Sequence, residues 1–359
     1  VLHPIFTLPS VLLEIFVMRI KILAKMRTDE HFAAQDGRFR FKAGEESIDA
    51  RVSIIPVSDG EKIVLRLLSS EGREIGISNL GFSEDNLKVI EEAAKHPHGM
   101  LLVTGPTGSG KTTTLYAILK ILNNPDVNIA TIEDPVEYNI EGINQIQVNP
   151  KTNLSFAAGL RSIVRQDPDI IMVGEIRDEE TAEIAVNSAM TGHLVLSTLH
   201  ANNAVTALPR LIDMKIEPYL ITSTVNVIIA QRLVRKMCQK CRSSYVITEE
   251  ELKIVEAHKA LKETFIKLGQ SDFKKTRLYK SEGCKACANT GYTGRVGAFE
   301  ILTMSESVKE LVIKRSSSFE IERAARAAGM ATILEDGIFK VINGVTTLSE
   351  VLRVAEISN

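Results

Sequence analysis

The stretch Met100–Leu115, MLLVTGPTGSGKTTTL, decides how the rest of the chain is read. Met100–Thr104 is a short apolar run of strand type, and Lys111–Leu122 reads as a helix. Between them lies a complete G-x-x-x-x-G-K-[ST] loop, Gly105–Thr112. Phosphate is multiply anionic. Glycines let a backbone turn tightly and aim several N–H groups inward, making an anion nest. The start of the following helix adds partial positive charge. Gly105, Pro106, Thr107, Gly108, Ser109, Gly110, Lys111, Thr112 and Thr113 are therefore the expected nucleotide-binding residues. Lys111 should reach the β and γ phosphates, and the Thr112 hydroxyl should ligate Mg²⁺. ATP and Mg²⁺ follow as expected ligands.

Outward from this loop, strands alternate with helices. Asn128–Ile132, Ile170–Val173 and Leu194–Leu199 read as buried strands. Glu179–Met190 reads as a helix begun by Asp178 and stopped by Gly192. Such alternation implies a parallel sheet covered on both faces, with ligands bound beyond the carboxyl ends of its strands. Towards the N-terminus, a helical pattern begins near Ser10 and runs on to Met26. Three strands follow at Arg38–Lys42, Ile48–Val57 and Lys62–Leu68, with Ser58-Asp59-Gly60 a turn between the last two. The polar stretch Thr28–His31 reads as solvated loop. Towards the C-terminus, the sequence from about residue 230 reads as helical and basic, with a cysteine-bearing insertion at 238–287. Thr347 with Glu350 fits a capping box before a last helix. The expected division is an α+β domain over 1–70, a linker over 71–82 and a nucleotide-binding domain over 83–359.

A phosphate loop alone hydrolyses nothing, because the metal needs oxygen ligands and the attacking water must be oriented. Two acidic strand ends can supply this. Glu133 follows one buried strand in TIEDPVE, Thr131–Glu137. Glu175 ends another in DIIMVGE, Asp169–Glu175. The usual acidic strand of such sites ends in Asp. Gly174 occupies that place here, so Glu175 is expected to act on water while Thr112 and solvent hold the metal. His193 and His200 bracket the strand LVLSTL, and only His200 stands at its carboxyl end. That makes His200 the better candidate for sensing phosphate or polarising water.

All four cysteines fall in two C-x-x-C pairs, Cys238/Cys241 and Cys284/Cys287. Two such knuckles with no cysteine left over predict a closed, tetrahedral Zn²⁺ site that staples the insertion. The insertion itself reads as charged, with little core of its own.

Composition bounds the function classes. The 359 residues are 44% hydrophobic, which excludes a disordered chain, and at about 150 residues per domain they predict two or three domains. The 43 basic and 45 acidic residues leave no global basic field for nucleic acid. With no Trp and 5% aromatics there is little to stack bases on. No run approaches the roughly 18 apolar residues of a membrane span. The opening VLHPIFTLPSVLLEIFVMRI is broken by Pro4, Pro9 and Glu14 and lacks the basic start of a signal peptide. The chain opens without Met and directly in apolar sequence, so it reads as a fragment of a longer protein. With no export signal a cytoplasmic setting is expected.

In this order the motifs resemble those of the secretion ATPase family, which comprises the assembly ATPases of type IV pili and the type II secretion ATPases. The resemblance runs from about residue 19 to 355. TIEDPVE is similar to the family's Asp box, RQDPDIIMVGEIRD (Arg165–Asp178) to its atypical Walker B, and TGHLVLSTLHAN (Thr191–Asn202) to its His box. The tetracysteine insertion is typical of the assembly and secretion branch. The resemblance implies an α/β fold: a RecA-like P-loop NTPase core with a smaller N-terminal α+β domain and a zinc insertion. It implies a cytoplasmic homo-hexamer, peripheral at the inner membrane, where ATP hydrolysis moves a platform protein and docking proteins anchor the motor. It gives Glu175 the role of catalytic base. Arg51 and Arg66 match arginines that approach the phosphates as the two domains close, a role suited to a planar guanidinium. Two other motors stand as alternatives: a retraction-type pilus ATPase, which would share the phosphate loop and the acids, and a nucleic-acid motor with a zinc module, for which the basic clusters at 232–242 and 274–280 speak. A nucleotide-gated scaffold without turnover is the non-enzymatic reading.

Overall fold

The computed structural model describes residues 4–44, 46–68 and 76–355. The chain divides into two compact units, Val1–Ile75 and Gly76–Asn359. Residues 71–75 of the expected linker lie outside the described residues, and Ile77–Leu80 form a 3-10 turn within the second unit.

The first unit carries helix α1 (Leu13–Leu23) and an antiparallel sheet of β1 (Gln35–Ala43), β2 (Glu46–Val57) and β3 (Gly60–Leu68) in sequence order. The alternation in β2 sets its faces. Ala50, Val52 and Ile54 are buried while Ser53 and Ile55 are exposed. Val52 and Ile54 pack with Ala24, Ile20, Met26, Phe39 and Ile63 into a small core. On the opposite face Arg51 stands between Arg38 of β1 and Arg66 of β3, directly across the strands. The stretch 28–31 is more than solvated loop. The fully buried Lys21 ammonium donates to the Glu30 carbonyl at 2.6 Å and to Glu61 at 2.9 Å, and His31 Nδ1 lies 2.9 Å from the same carboxylate. A buried ammonium needs such partners, and this segment closes over it.

The second unit is built on a seven-stranded sheet. In chain order its elements are α2 (Glu84–Ala94), β4 (Gly99–Thr104), α3 (Lys111–Leu122), β5 (Ile129–Glu133), β6 (Asn144–Gln147), α4 (Phe156–Val164), β7 (Ile170–Val173), α5 (Glu179–Met190), β8 (Leu194–Leu199), α6 (Ala207–Asp213), α7 (Pro218–Thr224) and β9 (Val225–Met237). Then follow β10 (Arg242–Val246), α8 (Glu249–Ala257), α9 (Lys259–Lys267), β11 (Arg277–Ser281), β12 (Tyr292–Thr303), α10 (Glu306–Ile313), α11 (Ser318–Ala327), α12 (Ile333–Ile342) and α13 (Leu348–Val354). The spatial order is β12-β9-β4-β8-β7-β5-β6, parallel throughout except for β12 against β9. Both faces are covered. Along β4, Met100 and Leu102 enter one apolar core with α4–α7, and Leu101 and Val103 enter the other with α2 and α3. Among the described residues no helix is long and apolar enough to cross a membrane.

The region from 230 departs from its helical reading. It is the second half of a thirteen-residue strand, β9, held between β4 and β12. Its apolar run Val225–Ala230 is buried on both faces, a pattern that helices and central strands share. The insertion leaves the sheet after Met237 of β9 and returns at Tyr292 of β12, and these two residues pair across the strands. It also has more core than its charge suggests. Val255, Leu261, Phe265 and Leu278 pack against Leu334, Ile338, Leu348 and Val351 of α12 and α13.

The expected capping box is half made. Thr347 accepts the Glu350 N–H at 3.4 Å, but the Glu350 carboxylate turns to Arg235 and Arg353 instead. Burial works to raise its pKa, and these bonds outweigh that and hold it at about 2. Its charged form therefore stabilises the fold above the ordinary carboxylate pKa, and that share is lost as pH falls from about 4.5 towards about 2. Glu350→Gln is expected to cost about 2 kcal/mol at neutral pH. Thermal melts of the two proteins should converge as pH falls through that window, and a gap unchanged at pH 3 would refute the assignment.

Candidate nucleotide-binding and hydrolysis site

Three neighbouring strands, β4, β8 and β7, bring their carboxyl ends together, and each leads into a site residue. The phosphate loop follows β4. Gly105 stands where β4 gives way to it, with φ +144°. A Cβ there would lie 2.6 Å from the Gln231 carbonyl oxygen and 2.7 Å from Ser109 Oγ, so only glycine fits. Gly110, at φ +91°, caps α3 without a side-chain acceptor, leaving the first amides of the helix to an outside anion. Pro106, Thr107 and Gly108 form the exposed lip, while Lys111, Thr112 and Thr113 are half-buried in the first helical turn. Lys111 Nζ folds back onto the carbonyls of Gly105 (2.9 Å) and Pro106 (3.2 Å). Burial pushes its pKa down, Glu175 acts against that, and Arg232 adds to it. Ser109 Oγ is buried with no hydrogen-bond partner among the described residues. Glycine cradle, cation and orphaned hydroxyl together fit a polyphosphate.

Glu175 lies just beyond β7. Its Oε1 accepts from Arg177 at 2.6 Å, and its Oε2 meets His200 Nε2 at 3.0 Å. Gly174 before it is close-packed: a Cβ would sit 3.3 Å from Glu133 Cα and from the Ile132 carbonyl. An Asp there would require the neighbouring strand to give by a few tenths of an ångström. His200 follows β8, half-exposed. The next residue is clamped to β4, because Thr104 Oγ1 donates to the Ala201 carbonyl and accepts its N–H, both at 2.9 Å. His193 sits at the other end of β8 against the Ser188 carbonyl, closing the end of α5.

Glu133 has a different setting. It is the last residue of β5 and 2% exposed. Its oxygens are taken by Tyr116 Oη, Thr131 Oγ1 (2.6 Å) and Gln145 Nε2 (3.1 Å). Burial raises its pKa, and burial beside that carboxylate raises the pKa of Tyr116 as well. The structure thus seats Glu133 in a closed polar cage. Arg51 and Arg66 belong to the first unit, opposite one another on β2 and β3.

The four cysteine sulfurs lie within 4.8 Å of one another. Three of the separations are 3.8, 3.8 and 3.9 Å. A tetrahedron with metal–sulfur bonds of about 2.3 Å has edges of about 3.8 Å, so the donors fit Zn²⁺. Sulfurs at these distances form no disulfide.

Sequence reasoning did not single out Arg177, Thr104 or the Tyr116–Gln145 cage. Arg177 had a signal, standing two residues after Glu175 with its charge opposite. The others became visible only once the fold joined distant segments.

A phosphate cradle, strand-end acid and histidine on a parallel sheet covered on both faces define a P-loop NTPase with a RecA-like core. A profile described as "Type II/IV secretion system protein" matches residues 1–353, and the chain belongs to that family. It is 47% identical over 340 residues to the type II secretion system protein E of Pseudomonas aeruginosa, covering 95% of this chain and 65% of that protein. It is 49% identical to the protein of that name in Xanthomonas campestris pv. campestris, with 97% and 59% covered. To the type IV pilus assembly ATPase PilB of Pseudomonas aeruginosa it is 44% identical, with 99% and 61% covered. The chain thus spans about three fifths to two thirds of these relatives. Among solved structures, the pilus retraction motor PilT with bound ADP superposes with a TM-score of 0.64 at 26% identity, covering 90% of this chain and 78% of that one. DotB of Yersinia pseudotuberculosis shares the fold at 20% identity, with a TM-score of 0.66 and 95% and 82% covered.

Proposed function

We propose that this chain is the motor portion of a secretion or pilus-assembly ATPase. The observation that carries the reading is the row of strand ends on β4, β8 and β7, which presents cradle, His200 and Glu175 side by side. In this reading Gly105–Thr113 hold the phosphates of ATP and Lys111 swings off its own loop onto the β and γ oxygens. The Thr112 hydroxyl would hold Mg²⁺, which supplies charge neutralisation on those oxygens when bound. Glu175 takes the proton of the water that attacks the γ-phosphorus, and the bond to the β–γ bridging oxygen breaks. His200 orients the carboxylate. Glu133 supports the site through its polar cage. Arg51 and Arg66, side by side across β2 and β3, are the arginines that would neutralise the transferring phosphoryl. Cys238, Cys241, Cys284 and Cys287 hold a structural Zn²⁺.

The assembly is a cytoplasmic homo-hexamer, peripheral at the inner membrane through a platform protein and docking proteins. Its work is pilus assembly or type II secretion, and the tetracysteine module favours this branch over a retraction motor. Phosphate release with Mg–ATP tests the reading. Specific activity should rise with protein concentration as rings form. No release at any concentration would refute it.

A further inference from the structure

β9 runs beside the phosphate loop, and one of its residues bonds to both the loop and the helix beyond it. In the parallel pairing of β4 with β9, Thr104 lies opposite Ala230, so Gln231 stands level with the point where β4 becomes loop. The Gln231 side chain is 2% exposed. Its Nε2 donates to the Ser109 carbonyl at 2.8 Å, and its Oε1 accepts from Thr114 Oγ1 at 2.8 Å. Its own carbonyl lies where a Cβ on Gly105 would collide. One residue thus holds the peptide before the loop's last glycine and the helix beyond, and leaves room only for glycine at the loop's start.

The contact with the Ser109 carbonyl bears on phosphate binding. A peptide unit is planar and trans, so its C=O and N–H point in opposite directions. Fixing the Ser109 carbonyl towards Gln231 turns the Gly110 N–H away from β9. Glycine crosses φ/ψ space freely, so the Gly110 side of this peptide offers little resistance to a flip, and a flipped peptide would offer oxygen to an anion. We propose that Gln231 is a positioning residue that keeps the Ser109–Gly110 peptide in its phosphate-accepting orientation. The Ser109 carbonyl, which can only accept, selects the Nε2 end of the carboxamide, and Thr114 holds the other end by donating to Oε1. The inference rests on the reading that the loop binds nucleotide phosphate.

The test measures affinity for Mg–ATP and for inorganic pyrophosphate, KM, kcat and melting temperature on the full chain. Gln231→Met keeps the volume and removes both bonds. It is expected to weaken Mg–ATP and pyrophosphate alike, by about tenfold, and to raise KM by the same factor, with kcat at saturation held within about threefold. Gln231→Glu loses the donor and adds charge beneath the loop, and should weaken both further. Thr114→Val leaves the Ser109 bond but frees the carboxamide to rotate, and should cost about threefold. It serves where the other variants fold poorly. A merely structural role would lower the melting temperature and leave the two affinities of the folded fraction unchanged. Variants that bind both probes like wild type overturn this role alone. A wild-type chain that binds neither overturns the nucleotide reading itself.

Discussion

Glu175→Gln is expected to lower kcat for ATP by about 10²- to 10⁴-fold while leaving Mg–ATP affinity within about threefold. The two parts of the prediction come from different parts of the structure. In the proposed reading affinity resides in the loop after β4, in Lys111 and in the first turn of α3; the substitution breaks no contact there and acts on Lys111 only through the lost charge. Turnover needs a group that can take a proton, and a carboxamide cannot. Gln has the shape of Glu, and its carbonyl oxygen can still accept from Arg177, so the local packing survives. The His200 contact at 3.0 Å survives only in a tautomer that suits the amide. Single-turnover phosphate release and equilibrium nucleotide binding separate the two effects. Turnover within threefold of wild type would remove Glu175 from the chemistry and favour a nucleotide-gated scaffold.

Removing the proposed zinc, by chelation or by Cys284→Ser, is expected to unravel residues 238–291 and to lower the melting temperature by about 10 °C. Structural zinc sites supply folding free energy outright, and losing about 3–5 kcal/mol of it shifts a domain of this size by that amount. The damage should spread. β10 and β11 make a two-stranded ribbon of the kind that is marginal by itself. Leu261, Phe265 and Leu278 cover Ile338 and Val351, so α12 and α13 lose apolar cover as the module opens. Elemental analysis should find one zinc per chain. Amide exchange should quicken in β10, β11 and α12 on chelation while β4, β7 and β8 stay protected. Unchanged exchange in β10 and α12 would refute the stapling role.

What the sequence revealed, and what it hid, follows from how far each signal reaches. The phosphate loop, the strand-end Glu175 and the paired cysteines are local patterns set by phosphate, water and metal chemistry, and they read directly. β5, β7 and β8 are short apolar runs bounded by turns, and they read nearly as well. β9 did not, because Val225–Ala230 is apolar but for Asn226, and only its partners β4 and β12 decide that it is a strand. From sequence Glu350 reads as half of a capping box, because the motif spacing is local. Arg235, more than a hundred residues away, claims its carboxylate instead. Glu133 looks like Glu175 from sequence, since both follow buried strands. Tyr116 and Gln145, distant in the chain, decide that it is enclosed.

The excursion over residues 238–291 begins and ends on one rung, Met237 facing Tyr292, and the next step out is tied as well, with the Cys238 N–H donating to the Gly291 carbonyl at 2.9 Å. The gap to be bridged is therefore set by the sheet, whatever the length of the excursion. Closing a loop costs free energy only logarithmically in its length. Over generations such a segment can grow or shrink like an exchangeable cassette, its freedom limited by the need to keep a greasy patch for the two terminal helices.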